Sequence, residues 1–130
     1  MSMTTIVNDR PQLVDFDPSA EIKSGPALQQ WRRKVKISRP VYAALSDCSE
    51  RTLATLEAKT RLSMGKQRKL NEARRLIVGL SEIMEFQNIA PWLKQPNEWF
   101  DDRTPLQALE EGKADKIWEL IFHTKEGGYL

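Results

Sequence analysis

Three times in this chain a hydroxyl side chain is followed within two residues by proline: Ser24-Gly25-Pro26, Ser38-Arg39-Pro40 and Thr104-Pro105. Proline has no amide hydrogen for a sheet ladder but is pre-set for the first turn of a helix, where a preceding Ser or Thr can accept an orphan amide. All three sites read as helix starts. After them apolar residues return at spacings of 3 and 4: Leu28, Trp31 and Val35, then Val41 and Leu45, then Leu106 and Leu109. Ser46-Asp47-Cys48-Ser49 reads as a tight turn, with Ser49 capping a helix over 50–58 that turns Leu53 and Leu56 inward. A longer helix over 64–84 carries Leu70, Ala73, Ile77, Leu80 and Met84, with Leu76 and Ile83 widening the stripe. Two heptads favour core packing over a dimer seam. Short helices are expected over 88–94 and 97–100, and the helix from 105 should stop at Gly112. A last one over 114–124 should bury Ile117, Trp118, Ile121 and Phe122. Apart from a short candidate strand at 12–16, no window alternates as a strand does. The expected fold is all-α: a flexible arm over 1–23, a helix-turn-helix region over 24–86 and a second small helical domain over 87–130.

Size and composition narrow the function. A chain of 130 residues buries about two-thirds of its unfolded surface, which leaves little room for a deep catalytic cleft. No apolar run approaches the roughly 20 residues that span a bilayer, and the opening MSMTTIVNDR does not resemble a signal peptide. Cys48 is the only cysteine and His123 the only histidine, so no internal disulfide and no Cys/His metal site can form. The expectation is a cytoplasmic protein without cofactor or metal. Gly65-Lys66 lacks the upstream glycine and the following hydroxyl of a phosphate loop. With no acid–base pair or nucleophile constellation either, the chain is not expected to be an enzyme.

The net charge of +2 conceals a strong asymmetry. From Trp31 to Arg75 thirteen basic residues stand against four acids, a net of +9; residues 76–130 carry −5 and the first thirty −2. A basic centre beside an acidic C-terminal part points to two surfaces with two kinds of partner.

Within the basic centre, Arg39 to Glu57 resembles the helix-turn-helix of the Xre, phage-repressor-like family. Ala43 is the small residue at the helix crossing, Cys48 the buried residue after the turn, and Leu53 and Leu56 the apolar anchors of the second helix. The pattern prefers glycine four residues after the small one; this chain has Asp47. The resemblance implies that the second helix enters the major groove with Ser49, Glu50, Arg51, Thr52, Thr55 and Lys59 outward. Arg51 can donate two bonds to guanine, Ser49, Thr52 and Thr55 can reach phosphates or thymine methyls, and Arg39 and Arg61 can grip backbone.

Residues 90–130 resemble the toxin-binding domain shared by the Xre, MbcA and ParS antitoxins. The resemblance rests on Pro91-Trp92-Leu93, Gln95-Pro96-Asn97, Arg103-Thr104-Pro105-Leu106 and the closing Gly127-Gly128-Tyr129. Where that family places Leu-Gly-Gly ahead of Thr-Pro-Leu, this chain has Phe100-Asp101-Asp102. The resemblance implies a type II antitoxin whose partner is a toxin of the RES-domain class, which degrades NAD or transfers ADP-ribose. The tail Gly127, Gly128, Tyr129 and Leu130 would then cover the toxin's active site. Trp92, Trp99 and Trp118 are expected in the core and His123 on the surface. Such a protein would also repress its own promoter, as a homodimer within a toxin–antitoxin hetero-oligomer. The alternative is a stand-alone helix-turn-helix regulator with a different effector.

Overall fold

A computed structural model describes residues 16–127, and within them the fold is all-α. Seven α-helices follow in order: α1 (Gly25–Val35), α2 (Arg39–Leu45), α3 (Glu50–Glu57), α4 (Met64–Leu80), α5 (Phe86–Leu93), α6 (Pro105–Glu110) and α7 (Ala114–Lys125). A single 3₁₀ turn, Glu98–Phe100, lies between α5 and α6.

The hydroxyl residues start the helices by the expected chemistry. Ser24 accepts the Ala27 amide, Ser49 the Thr52 amide and Ser63 the Lys66 amide. Thr104 and Gln107 form a reciprocal capping box with Pro105 at the first helical position. Ser38 precedes α2 without a side-chain cap bond.

Four boundaries or faces differ from the sequence expectation. First, α4 ends at Leu80, not 84, because the Ser81 hydroxyl donates to the Val78 carbonyl (2.5 Å) and the next amides, of Glu82 and Ile83, bond three residues back. Second, α5 starts at Phe86, two residues early. Third, Phe122 is 56% exposed, whereas Ile117 and Ile121 on the same helix are buried and Trp118 is half-buried. Fourth, residues 17–23 are held rather than free. Ile22 is buried, and its amide and carbonyl pair with the Asn71 side chain (2.8 Å each). Arg74 donates to the Ser19 carbonyl (2.8 Å) and the Trp31 indole to the Pro18 carbonyl (2.9 Å). The candidate strand at 12–16 lies outside the described residues except for Phe16, which is half-buried under the Lys34 ammonium.

The buried side chains form one cluster running from Ile22 to Ile121. It joins the two segments separated in the sequence reading: α2 packs on α3 and α6, while α4 packs on α5 and α7. The α4 stripe is core, with Leu70, Ala73, Leu76, Ile77 and Leu80 buried. Gly79 breaks the helix-forming pattern for a packing reason: a Cβ there would lie 2.8 Å from the Trp118 ring. Trp92 and Trp99 are also half-buried against the cluster rather than enclosed by it. Trp92 meets Phe100 edge-on at 6.1 Å, and the Trp99 indole donates to the Lys116 carbonyl (3.0 Å).

Candidate nucleic-acid interface

Helices α2 and α3 are joined by four residues and packed together, with Ala43 buried at their contact and Leu53 and Leu56 buried behind α3. The turn is closed by the Cys48 amide donating to the Ala43 carbonyl (3.0 Å). Asp47 takes φ +56, the left-handed conformation for which the related pattern uses glycine. Asp is among the few other residues that accept it, through local hydrogen bonding of a short polar side chain. Cys48 is half-buried rather than fully enclosed; burial raises its thiol above the ordinary range, although Lys69 and Lys66 pull in the other direction.

The outward face of α3 is as expected: Ser49, Glu50, Arg51, Thr52 and Thr55 are exposed, as is Lys59 just beyond the helix. Several of its hydroxyls already serve the helix. Ser49 Oγ caps the Thr52 amide and donates to Thr52 Oγ1 (2.9 Å), and Thr55 Oγ1 donates to the Arg51 carbonyl (3.1 Å). Arg51 is the one long donor within the helix itself. Arg61 is exposed on the loop that follows.

Arg39 is differently placed. Its guanidinium bonds to Glu57 (3.0 Å), with 34% of the side chain exposed, so it braces α2 on α3 instead of standing free for phosphate. Glu57 is 4% exposed and also takes a two-pronged contact from Arg32, at 2.5 and 2.9 Å. Arg32 completes its bonding at the Ile37 carbonyl (3.1 Å) and is buried, although it counts among the thirteen basic residues of the centre. Burial by itself would raise the Glu57 carboxyl, but the hydrogen bonds and charges of Arg32 and Arg39 outweigh it and hold the group below its ordinary range. This triad ties the C-terminal end of α3 to α1 and α2. Gly25 completes the joint: its amide donates to the Lys59 carbonyl (2.8 Å), and a Cβ would fall 2.2 Å from the Leu56 oxygen.

The triad is not legible from charge, where Arg32 and Arg39 count toward the basic centre and Glu57 as one of its four acids. A signal was present. Arg32 lies four residues after Leu28, Glu57 four after Leu53 and Arg74 four after Leu70, each at core phase. With Arg32 and Arg74 inside, the solvent face of the basic centre consists of Arg33, Lys36, Arg51, Lys59, Arg61, Lys66, Arg68, Lys69 and Arg75, with Lys34 and Arg39 partly covered. Lys69 and Lys66 border the turn at the N-terminal end of α3, where the Lys69 ammonium donates to the Asp47 carbonyl (3.2 Å). Lys59 and Arg61 follow its C-terminal end. The exposed face of α3 therefore has cations at both ends.

In the C-terminal part, Asn97 and Arg103 form an isolated antiparallel bridge around the 3₁₀ turn. Asp101 and Asp102 within it take φ +59 and +65, so this turn also is made by aspartates in a conformation usual for glycine. His123 is exposed and stacks on Trp99 at 5.5 Å. Gly127, at φ +82, is exposed with nothing within 4 Å of its position for a Cβ. The other three expected tail contacts, Gly128, Tyr129 and Leu130, lie outside the described residues. Among the described residues no His, Cys, Asp and Glu gather as a metal site, and no helix is long and apolar enough to cross a membrane. No protein family, curated protein or solved structure matches the chain.

Proposed function

We propose that this chain is a cytoplasmic type II antitoxin that binds its own promoter through α2 and α3 and neutralises a RES-type toxin through its acidic C-terminal part. The observation that carries the DNA-binding half is the exposed face of α3, centred on Arg51 and bordered by cations at both ends. An eight-residue helix is about 12 Å long, which suits the major groove's width of about 12 Å. Arg51 reads guanine, the threonine methyls meet thymine, and Lys59, Arg61, Lys66 and Lys69 neutralise phosphates on either side. Two copies would place two such helices about one DNA turn apart on an inverted repeat.

The toxin-binding half rests on the resemblance of residues 90–130 to the Xre, MbcA and ParS antitoxins and on their net negative charge. Gly127 lets the tail leave α7 with unhindered backbone, and Gly128, Tyr129 and Leu130 would reach the toxin's mouth. The test is co-expression with the product of the adjacent reading frame, read by growth and by co-elution. Rescue of growth with a stoichiometric complex supports the proposal; absence of toxicity and of a complex overturns it. Within a working pair, Arg51→Ala should weaken operator binding by about 1–3 kcal/mol and leave neutralisation intact, and deletion of residues 127–130 should do the reverse.

A further inference from the structure

Phe122 stands out on α7. It is the most exposed aromatic side chain among the described residues, at 56%, and it stacks on the half-buried Trp118 with centroids 6.1 Å apart and planes 29° from parallel. Trp118 is itself backed by Gly79 of α4, so the pair is a rigid aromatic ledge on the core rather than a loose side chain. An aromatic ring exposed on a packed support is a preorganised anchor for a protein contact, since little side-chain freedom is lost when it is covered.

The charges around the ledge define what can cover it. Asp115, Glu119, Phe122 and Glu126 follow at spacings of 4, 3 and 4, a single stripe along α7 and its cap. All three acids are exposed, and none has an ion pair among the described residues. Lys125, three residues after Phe122, is held by Glu82 at 2.8 Å. Phosphate backbone would be repelled by this stripe, so the ledge is not an extension of the nucleic-acid face. A second copy seated over Phe122 would bring the Glu119–Glu126 stripe against itself, with the neighbouring lysine already engaged.

We infer that the Trp118–Phe122 ledge, with Asp115, Glu119 and Glu126 beside it, docks a partner protein whose apolar pocket is rimmed by Arg and Lys side chains. This rests on the antitoxin proposal and deepens it. The partner is the toxin, and Phe122 anchors it one helical turn before the tail begins at Gly127. Apolar insertion supplies the slow dissociation and the acidic stripe the fast, oriented encounter.

The test uses the full-length chain and the toxin from the adjacent reading frame, with affinity measured at two salt concentrations. Phe122→Ala should weaken binding at least 30-fold with an unchanged melting temperature, since the ring is not enclosed. Charge reversal at Glu119→Lys with Glu126→Lys should weaken binding at least tenfold at low salt and flatten its salt dependence. Wild-type affinity in both variants, with binding lost on tail deletion, overturns the ledge and leaves the antitoxin proposal standing. A wild-type chain that does not bind the toxin overturns both. Conversion of a dimer to a monomer by Phe122→Ala in sedimentation shows a second copy on the ledge and overturns the inference as well.

Discussion

Glu57 offers the most direct test of how α3 is held. Its carboxylate is buried and shared between Arg32, by two bonds of 2.5 and 2.9 Å, and Arg39, at 3.0 Å. Glu57→Gln keeps the shape and removes the charge, which leaves the Arg32 guanidinium buried without a counter-ion. Breaking such a pair from one side costs about 3–5 kcal/mol, well above the value of an exposed pair, about 0–1 kcal/mol. For a chain of this length about 4 °C of melting temperature accompanies each kcal/mol, so a fall of about 12–20 °C is expected. Arg39→Ala should cost far less, about 1 kcal/mol, because a third of that side chain is in water and Arg32 still neutralises Glu57.

The acid dependence supplies an independent readout. The folded carboxyl is held below its ordinary value of 4.5, so the unfolded chain takes up the proton first. The stabilisation is fully present above that value and is lost as pH falls through the lower, folded one. The gap between wild type and Glu57→Gln in urea titrations should thus be constant near neutrality and narrow only below about pH 4.5. A cost under about 1 kcal/mol at pH 7, or a gap that does not shrink in acid, would refute the view that this triad is a buried, desolvated joint.

Other substitutions probe the remaining joints. Gly25→Ala should destabilise by at least about 3 kcal/mol in urea unfolding, beyond ordinary overpacking, because the new Cβ falls 2.2 Å from the Leu56 backbone oxygen. Asn71→Leu should cost about 2–4 kcal/mol by leaving the Ile22 amide and carbonyl unpaired, and limited proteolysis should then cut within 17–23. Asp47→Gly should raise stability by about 0.5–1 kcal/mol and Asp47→Val lower it by about 1–2 kcal/mol, since φ is +56 there; equal melting temperatures for the two would overturn the backbone assignment.

Local chemistry made most of the fold legible. A hydroxyl cap followed by proline is a short-range device whose action depends on four residues, and Ser24 and Thr104 act as such a device should. The apolar stripes of α1, α3 and α4 are equally local, and their inner residues are buried. What stayed hidden depends on residues far apart in the chain. Arg32 and Glu57 are separated by 25 positions and Ile22 and Asn71 by 49; only a partner from another element makes a buried charge or amide tolerable. Phe122 fails for the converse reason. Its helical phase next to Trp118 and Ile121 suggests burial, but Gly79 of α4 admits Trp118 while Phe122 stays 56% exposed, enclosed by no element among the described residues.

The three aspartates at positive φ show how a residue rule and a backbone rule come apart. Asp47, Asp101 and Asp102 stand where the helix-turn-helix pattern and the antitoxin-like segment carry glycine, and all three adopt the left-handed conformation that glycine would adopt. The requirement at these turns is for φ above zero, and Asp meets it at a moderate cost because a short polar side chain can bond locally. Charge makes the substitution more than a tolerated strain. At Asp47 the side chain adds one acid to the otherwise basic centre, and its backbone carbonyl accepts the Lys69 ammonium (3.2 Å). At Asp101 and Asp102 the exposed carboxylates add to the negative charge of the C-terminal part. Replacing all three by glycine would therefore ease the left-handed turns while taking one acid from the basic centre and two from the acidic C-terminal part, so the fold would gain and the two charged segments would shift in the same, more positive direction.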